Sequence, residues 1–147
     1  MLAFRKLSPS DYDQWKPLWH AYLEFYETRL PEALYESTWR RFHDDTEPMW
    51  AYGAFDDGGR MVGIAHIILH RSCWSDAPYC YLQDLFTAPD RRGCGIGRTL
   101  IEHVRVAAEA KGATRLHWLT HETNATAMAL YDRVALRSGF VQYRMVF

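Results

Sequence analysis

The segment Arg91-Arg92-Gly93-Cys94-Gly95-Ile96-Gly97-Arg98 constrains this chain more than any other. It follows an apolar run, Tyr79 to Thr87, that reads as a strand ended by Ala88-Pro89-Asp90. It opens a helical period running from about Gly95 to Lys111 and stopping at Gly112. Three alternating glycines let the backbone approach a ligand closely and turn successive N–H groups into one concavity. The helix N-terminus adds a partial positive charge, and Arg91, Arg92 and Arg98 add full ones. A flexible turn needs neither the glycines nor the arginines; a pyrophosphate cradle needs both. Spacing argues against two other phosphate loops. A P-loop requires lysine and then Ser or Thr after its last glycine, but Arg98 holds the lysine position and Arg92 stands where the first glycine belongs. A dinucleotide fingerprint requires glycine at 98 and a strand near the N-terminus.

The hydrophobic period places other elements around this loop. Leu2 to Leu7 reads as a first strand. Ser8 or Ser10 caps a helix carrying Trp15, Leu18, Trp19, Tyr22, Leu23 and Tyr26, a stripe whose plain reading is core packing. Pro31-Glu32 starts a second helix through about His43. Met49 to Phe55 and Met61 to His70 are strands joined by the hairpin signal Asp56-Asp57-Gly58-Gly59. Arg115 to Thr120 is a strand, Asn124 to Leu136 a helix, and Phe140 to Phe147 a terminal strand. The order β-α-α-β-β-β-α-β-α-β implies an α/β (mixed α+β) fold, one domain over 1–147. Its twisted, mostly antiparallel mixed sheet has six to seven strands, with about four helices on its two faces.

Composition narrows the class. The chain has 147 residues, 48% hydrophobic and 15% aromatic, which argues against disorder. A net charge of −1 gives no general pull toward nucleic acid or an anionic membrane. The charge is divided, −5 over residues 1–57 and +4 over 58–147, which suits an anionic ligand on the C-terminal part and a cationic one on the N-terminal part. Cys73, Cys80 and Cys94 form neither a disulfide framework nor a CxxC metal pair, and read as reduced thiols of a cytoplasmic protein without a metal. The N-terminus lacks a signal-peptide core, and the longest apolar run, Met61 to Leu69 interrupted by His66, is too short to span a bilayer.

Arg92-x-x-Gly95-x-Gly97 after a strand, with Asn124 and Tyr131 downstream, resembles the GNAT family of N-acetyltransferases. Tyr81-Leu82-Gln83-Asp84-Leu85-Phe86 and Leu130-Tyr131-Asp132-Arg133-Val134-Ala135, followed by Ser138-Gly139-Phe140, are similar to its histone/polyamine (diamine) acetyltransferase-like branch. The resemblance implies acetyl-coenzyme A as donor and direct transfer of acetyl to a primary amine in a ternary complex. It implies that the backbone of Leu85, Phe86 and Thr87 pairs with the pantetheine arm and supplies an oxyanion amide. Arg92 and the amides of Gly93, Cys94, Gly95, Ile96, Gly97 and Arg98 then hold the pyrophosphate. Asn124 bonds the cofactor, and Tyr131, two helical turns on, protonates the departing thiolate. A homodimer through the C-terminal strand, with Val141, Tyr143, Met145 and Val146 at a sheet edge, is also implied.

The proton acceptor departs from the branch pattern. Glutamate is frequent there where this chain has Gln83, and glutamine takes no proton. Alternation points Asp84 to the opposite strand face, as a structural carboxylate. His121 stands first among the remaining bases, ahead of Glu122, Glu24, Glu27 and solvent. Tyr22, Glu24, Tyr26, Glu27, Trp74 and Gln83 form the expected acceptor site, where charge and aromatic faces hold an ammonium. The expected acceptor is a small cationic amine such as a polyamine, an amino acid or an aminoglycoside. The alternatives are a lysine of a protein or peptide, and a non-catalytic acyl-coenzyme A-binding module.

Overall fold

A computed structural model describes all 147 residues. In chain order the elements are β1 (Ala3–Lys6), α1 (Tyr12–Phe25), α2 (Glu32–Phe42), β2 (Met49–Phe55), β3 (Met61–Ser72), β4 (Ser75–Thr87), α3 (Ile96–Ala110), β5 (Leu116–His117) and α4 (Ala125–Val134). The sheet order is β1-β2-β3-β4-β5. The first four strands pair antiparallel, and β5 joins β4 in parallel after the α3 crossover.

Both faces of the sheet are covered, which is why β2 and the first half of β3 are buried at almost every position rather than at alternate ones. On one face α1 and α2 bring Trp15, Trp19, Leu23, Tyr35, Trp39 and Phe42 against Met49, Ala51, Ile64 and Phe86. On the other, α3 brings Ile96, Leu100, Ile101 and Val104 against Val62, Ala65, Ile67 and Leu82. Gly63 lets α3 seat closely, because a Cβ there would lie 3.0 Å from both Ile96 and Leu100. Asp11 pins the start of α1. Its carboxylate accepts from the Ser8 N–H at 2.7 Å and takes a bidentate pair from Arg5 of β1 at 2.7 and 2.9 Å.

The sheet has five strands rather than six or seven. Residues 140–147, expected as a terminal strand, carry no backbone pairing to the rest of the chain. Their apolar side chains Phe140, Val141, Tyr143, Met145, Val146 and Phe147 are 75–111% exposed. β5 is also shorter than expected, two residues against the span Arg115 to Thr120.

Candidate functional site

The loop between β4 and α3 builds an open cradle. Gly93 and Gly95 both sit at φ 78°, the left-handed region that side-chain-bearing residues avoid. A Cβ at either would meet nothing within 4 Å, so the requirement is conformational and the space in front of the loop is free. No side chain caps the start of α3, which leaves its first N–H groups pointing outward. Ile96, 1% exposed, anchors the first turn in the core. A Cβ on Gly97 would stand 3.5 Å from Leu130, which sets α3 beside α4. Arg92 lies over the Phe86 ring at 5.4 Å, and its Nε donates to the Thr87 carbonyl at 3.4 Å. Arg98 and Cys94 are exposed. Arg91 is paired with Asp56 at 3.3 Å, so Arg92 and Arg98 are the arginines left for an anion. Open amides, a helix N-terminus and two arginines fit a pyrophosphate.

The strands diverge beside the cradle. β4 and β5 pair only at Cys80–Leu116 and Tyr81–His117. From Leu82 to Thr87 the second edge of β4 has no strand partner, so the backbone of Leu85, Phe86 and Thr87 borders a V-shaped opening. An extended ligand can pair there as an added strand. Tyr131 stands on α4 and packs on Trp118 with ring centroids 5.4 Å apart. Burial, and then the neighbouring Tyr26, push its phenol up to about 12, so it keeps its proton at neutral pH. Asn124 caps α4 by accepting from the Ala127 N–H at 3.4 Å, and its side chain lies near the Tyr26 hydroxyl.

A β-bulge sits in the middle of β4. His66 pairs with Asp84 but Ile67 pairs with Leu82, leaving Gln83 as the extra, exposed residue. The bulge breaks the alternation assumed in reading the sequence. Asp84 and Tyr81, on its two sides, both point toward the α1 face. There Asp84 is bonded to His66, and its charge is felt by the phenols of Tyr22, Tyr26 and Tyr81. The buried Trp15 Nε1–H donates to His66 Nε2 at 2.9 Å, and His66 Nδ1 faces Asp84 Oδ2 at 2.9 Å. Burial first, then the Asp84 charge, raises the phenols of Tyr22, Tyr26 and Tyr81, although Asn124 opposes this at Tyr26 and the Arg144 charge at Tyr81.

The remaining expected residues are scattered. Glu24 points away from Tyr22 and Tyr26 into a separate recess of about 600 Å³ between α1 and α2, beside Lys16, His20 and Arg29. Glu27 ends the α1 turn at φ 53° and is exposed. Trp74, 79% exposed, caps the β3–β4 hairpin. The His121 ring is held in its own exposed turn, 2.7 Å from Thr123 Oγ1. Sequence alone left Asp84 as a structural carboxylate and gave His66, Trp15 and Tyr81 no site role, whereas the structure joins Trp15, His66 and Asp84 in one hydrogen-bonded chain near Tyr81. One signal was available: His66 interrupts the apolar run Met61 to Leu69, and a polar side chain inside a buried strand needs a partner. No cluster of His, Cys, Asp or Glu is arranged to hold a metal ion, and no helix is long and apolar enough to cross a membrane.

Comparison with known proteins agrees with this geometry. The yeast Saccharomyces cerevisiae D-amino-acid N-acetyltransferase HPA3 is 33% identical over 144 residues, covering 97% of this chain and 89% of its own. The Caenorhabditis elegans thialysine N-epsilon-acetyltransferase is 39% identical over 56 residues, 38% of this chain and 35% of its own. The solved structure of AAC(6')-Iy with the bisubstrate analogue CoA-S-monomethyl-acetylneamine shares the fold, with TM-score 0.79 at 18% identity over 100% of this chain and 96% of its own. The model of the acetyltransferase (GNAT) family matches residues 15–135. The chain therefore belongs to the GNAT family and is an N-acetyltransferase with acetyl-coenzyme A as its donor.

Proposed function

We propose that this enzyme acetylates the primary amine of a small cationic molecule, such as an amino acid, a polyamine or an aminoglycoside, by direct attack in a ternary complex. The observation that carries the reading is the nearly buried Asp84 carboxylate on the α1 face, held by His66 at 2.9 Å, with no lysine or arginine partner and with its charge felt by the phenols of Tyr22, Tyr26 and Tyr81. A carboxylate among aromatic rings is a site for an ammonium. The names of the relatives point the same way, toward a D-amino acid, thialysine and an aminoglycoside derivative.

Bound acetyl-coenzyme A supplies the activated thioester. The amides from Gly93 to Arg98, with Arg92 and Arg98, hold the anionic end, and the open edge of β4 at Leu85 to Thr87 aligns the arm. An amide of that edge donates to the carbonyl oxygen as negative charge develops on it. Tyr131 keeps its proton until the sulfur needs it. Much of the acceleration comes from holding amine and carbonyl together.

Thiol release should be followed across D- and L-amino acids, polyamines, aminoglycosides and a histone-tail peptide. Turnover of a small amine well above that of the peptide is expected. Preference for the peptide, or tight acetyl-coenzyme A binding without turnover of any amine, would overturn the reading.

A homodimer belongs to the same proposal. The exposed apolar tail, residues 140–147, lies unpaired, and β5 has a free outer edge beside a groove of about 690 Å³ lined by Ile101, Leu116, Trp118 and Val134. The tail of a second copy fits that edge as an added strand. Light scattering at micromolar concentration should give a dimer for the full chain and a monomer after removal of residues 138–147. A monomeric full chain would contradict it.

A further inference from the structure

Resting on that reading, we infer that Asp84 is the proton acceptor for the substrate ammonium and that Trp15 and His66 are positioning residues that hold its carboxylate ready. The tautomer of His66 follows from its partners. The indole Nε1 of Trp15 can only donate, so His66 Nε2, 2.9 Å away, must accept. The proton of the neutral ring therefore sits on Nδ1 and is donated to Asp84 Oδ2 at 2.9 Å. Trp15, Trp19 and Phe42 pack around the imidazole with ring centroids at 5.9, 4.9 and 4.6 Å, which prevents the ring from turning.

That chain occupies one carboxylate oxygen. The Asp84 side chain keeps 11% of its surface exposed, on a side bordered by the Tyr22 hydroxyl, which a substrate ammonium would have to displace to reach the carboxylate. The titratable groups facing Asp84 are His66 from β3, Tyr22 and Tyr26 from α1, and Tyr81 from β4. No lysine or arginine pairs with it. A nearly buried carboxylate without a cation of its own is a poor stabilising element and a good receptor for a substrate cation. Gln83, displaced into the bulge, can neither carry the charge nor take the proton.

Protons balance as follows. The bound ammonium gives one proton to Asp84 Oδ1 and becomes a free amine. The nitrogen lone pair forms the C–N bond as the C–S bond breaks. Tyr131 gives its proton to the sulfur, and the second proton lost from nitrogen restores the phenol. Asp84 returns its proton to water.

Asp84→Asn keeps the shape of the side chain and an oxygen for His66. Three quantities should be compared with wild type: kcat/KM for the best amine, the amine Kd by calorimetry without acetyl donor, and the acetyl-coenzyme A Kd. About a 100-fold loss of kcat/KM and about tenfold weaker amine binding are expected, with acetyl-coenzyme A binding unchanged. Wild-type values for both amine quantities would overturn the inference while leaving the acetyltransferase reading intact. A wild type that turns over no amine would instead sink that reading. Trp15→Phe keeps most of the packing but leaves His66 Nε2 free to take a proton, which would neutralise Asp84 from below. An acid limb absent from the wild type should then appear in kcat/KM, at unchanged acetyl-coenzyme A Kd. An unaltered pH profile would remove Trp15 and His66 from the positioning role.

Discussion

The two faces of the sheet are built from different materials. Against α3 the core is aliphatic, with Val62, Ala65, Ile67, Leu82, Leu100 and Val104, and it contains no ionisable pair. Against α1 and α2 it is aromatic, with Trp15, Trp19, Tyr35, Trp39 and Phe42, and it encloses His66 and Asp84. The α3 face gains its stability from area and close packing, and its only polar atoms among the buried side chains are the Tyr52 hydroxyl and the Cys80 thiol, neither of them charged. The aromatic face gives up some of that gain to bury a polar chain, which under the proposed function ends at the substrate amine. Under the proposed function one face is a support and the other a reagent, and substitutions should separate them.

The largest expected effect falls on the support. Leu100→Ala, at a side chain with no exposure, should cost about 3–4 kcal/mol in denaturant unfolding. Below its transition the variant should keep its amine Kd, and a changed amine Kd would mean that the faces are coupled. Tyr131→Phe should lower kcat by about 100-fold with acetyl-coenzyme A affinity unchanged and stability nearly so. Equal turnover would remove the phenol as acid. Gly95→Ala forces a side chain into the left-handed region, which costs about 1–2 kcal/mol. The acetyl-coenzyme A Kd should rise about tenfold while the amine Kd stays, and calorimetry with each ligand alone reads both.

The smallest effect is at the join between β1 and α1. Arg5, and then the Ser8 N–H and hydroxyl, hold the Asp11 carboxyl down to about 2 against the cost of burial. A depressed folded-state value stabilises above the unfolded value of about 3.9 and is lost as pH falls through about 2. Because Arg5 is half exposed, the contribution is on the order of 1–2 kcal/mol. Between pH 4 and pH 2, Asp11→Asn should lose less stability than the wild type in thermal unfolding.

What the sequence made legible follows the same division. The cradle could be read because its requirements are local: left-handed glycines at 93 and 95, a helix start, and arginines within one turn. The order of elements could be read because hydrophobic period is local too, and Ile96 and Leu100 fall on the buried face as the period demands. The acceptor site could not. A single bulge at Gln83 reverses which face the residues beyond it occupy, and neither residue identity nor alternation announces it. The Trp15–His66–Asp84 chain joins α1, β3 and β4, with 51 positions between Trp15 and His66 and 18 between His66 and Asp84. The terminal strand failed for a related reason. Phe140 to Phe147 has strand composition, but a strand also needs a paired neighbour, and these residues pair with none in their own chain.

The most direct measurement is a crystal structure with a bisubstrate analogue in which coenzyme A sulfur is joined through an acetyl spacer to the preferred amine. The expected result places the amine nitrogen about 3 Å from an Asp84 oxygen, between Tyr22 and Tyr81, and the sulfur within reach of the Tyr131 hydroxyl. An amine lying instead toward Glu24, or against His121, would contradict the assignment of the aromatic face as the reactive one.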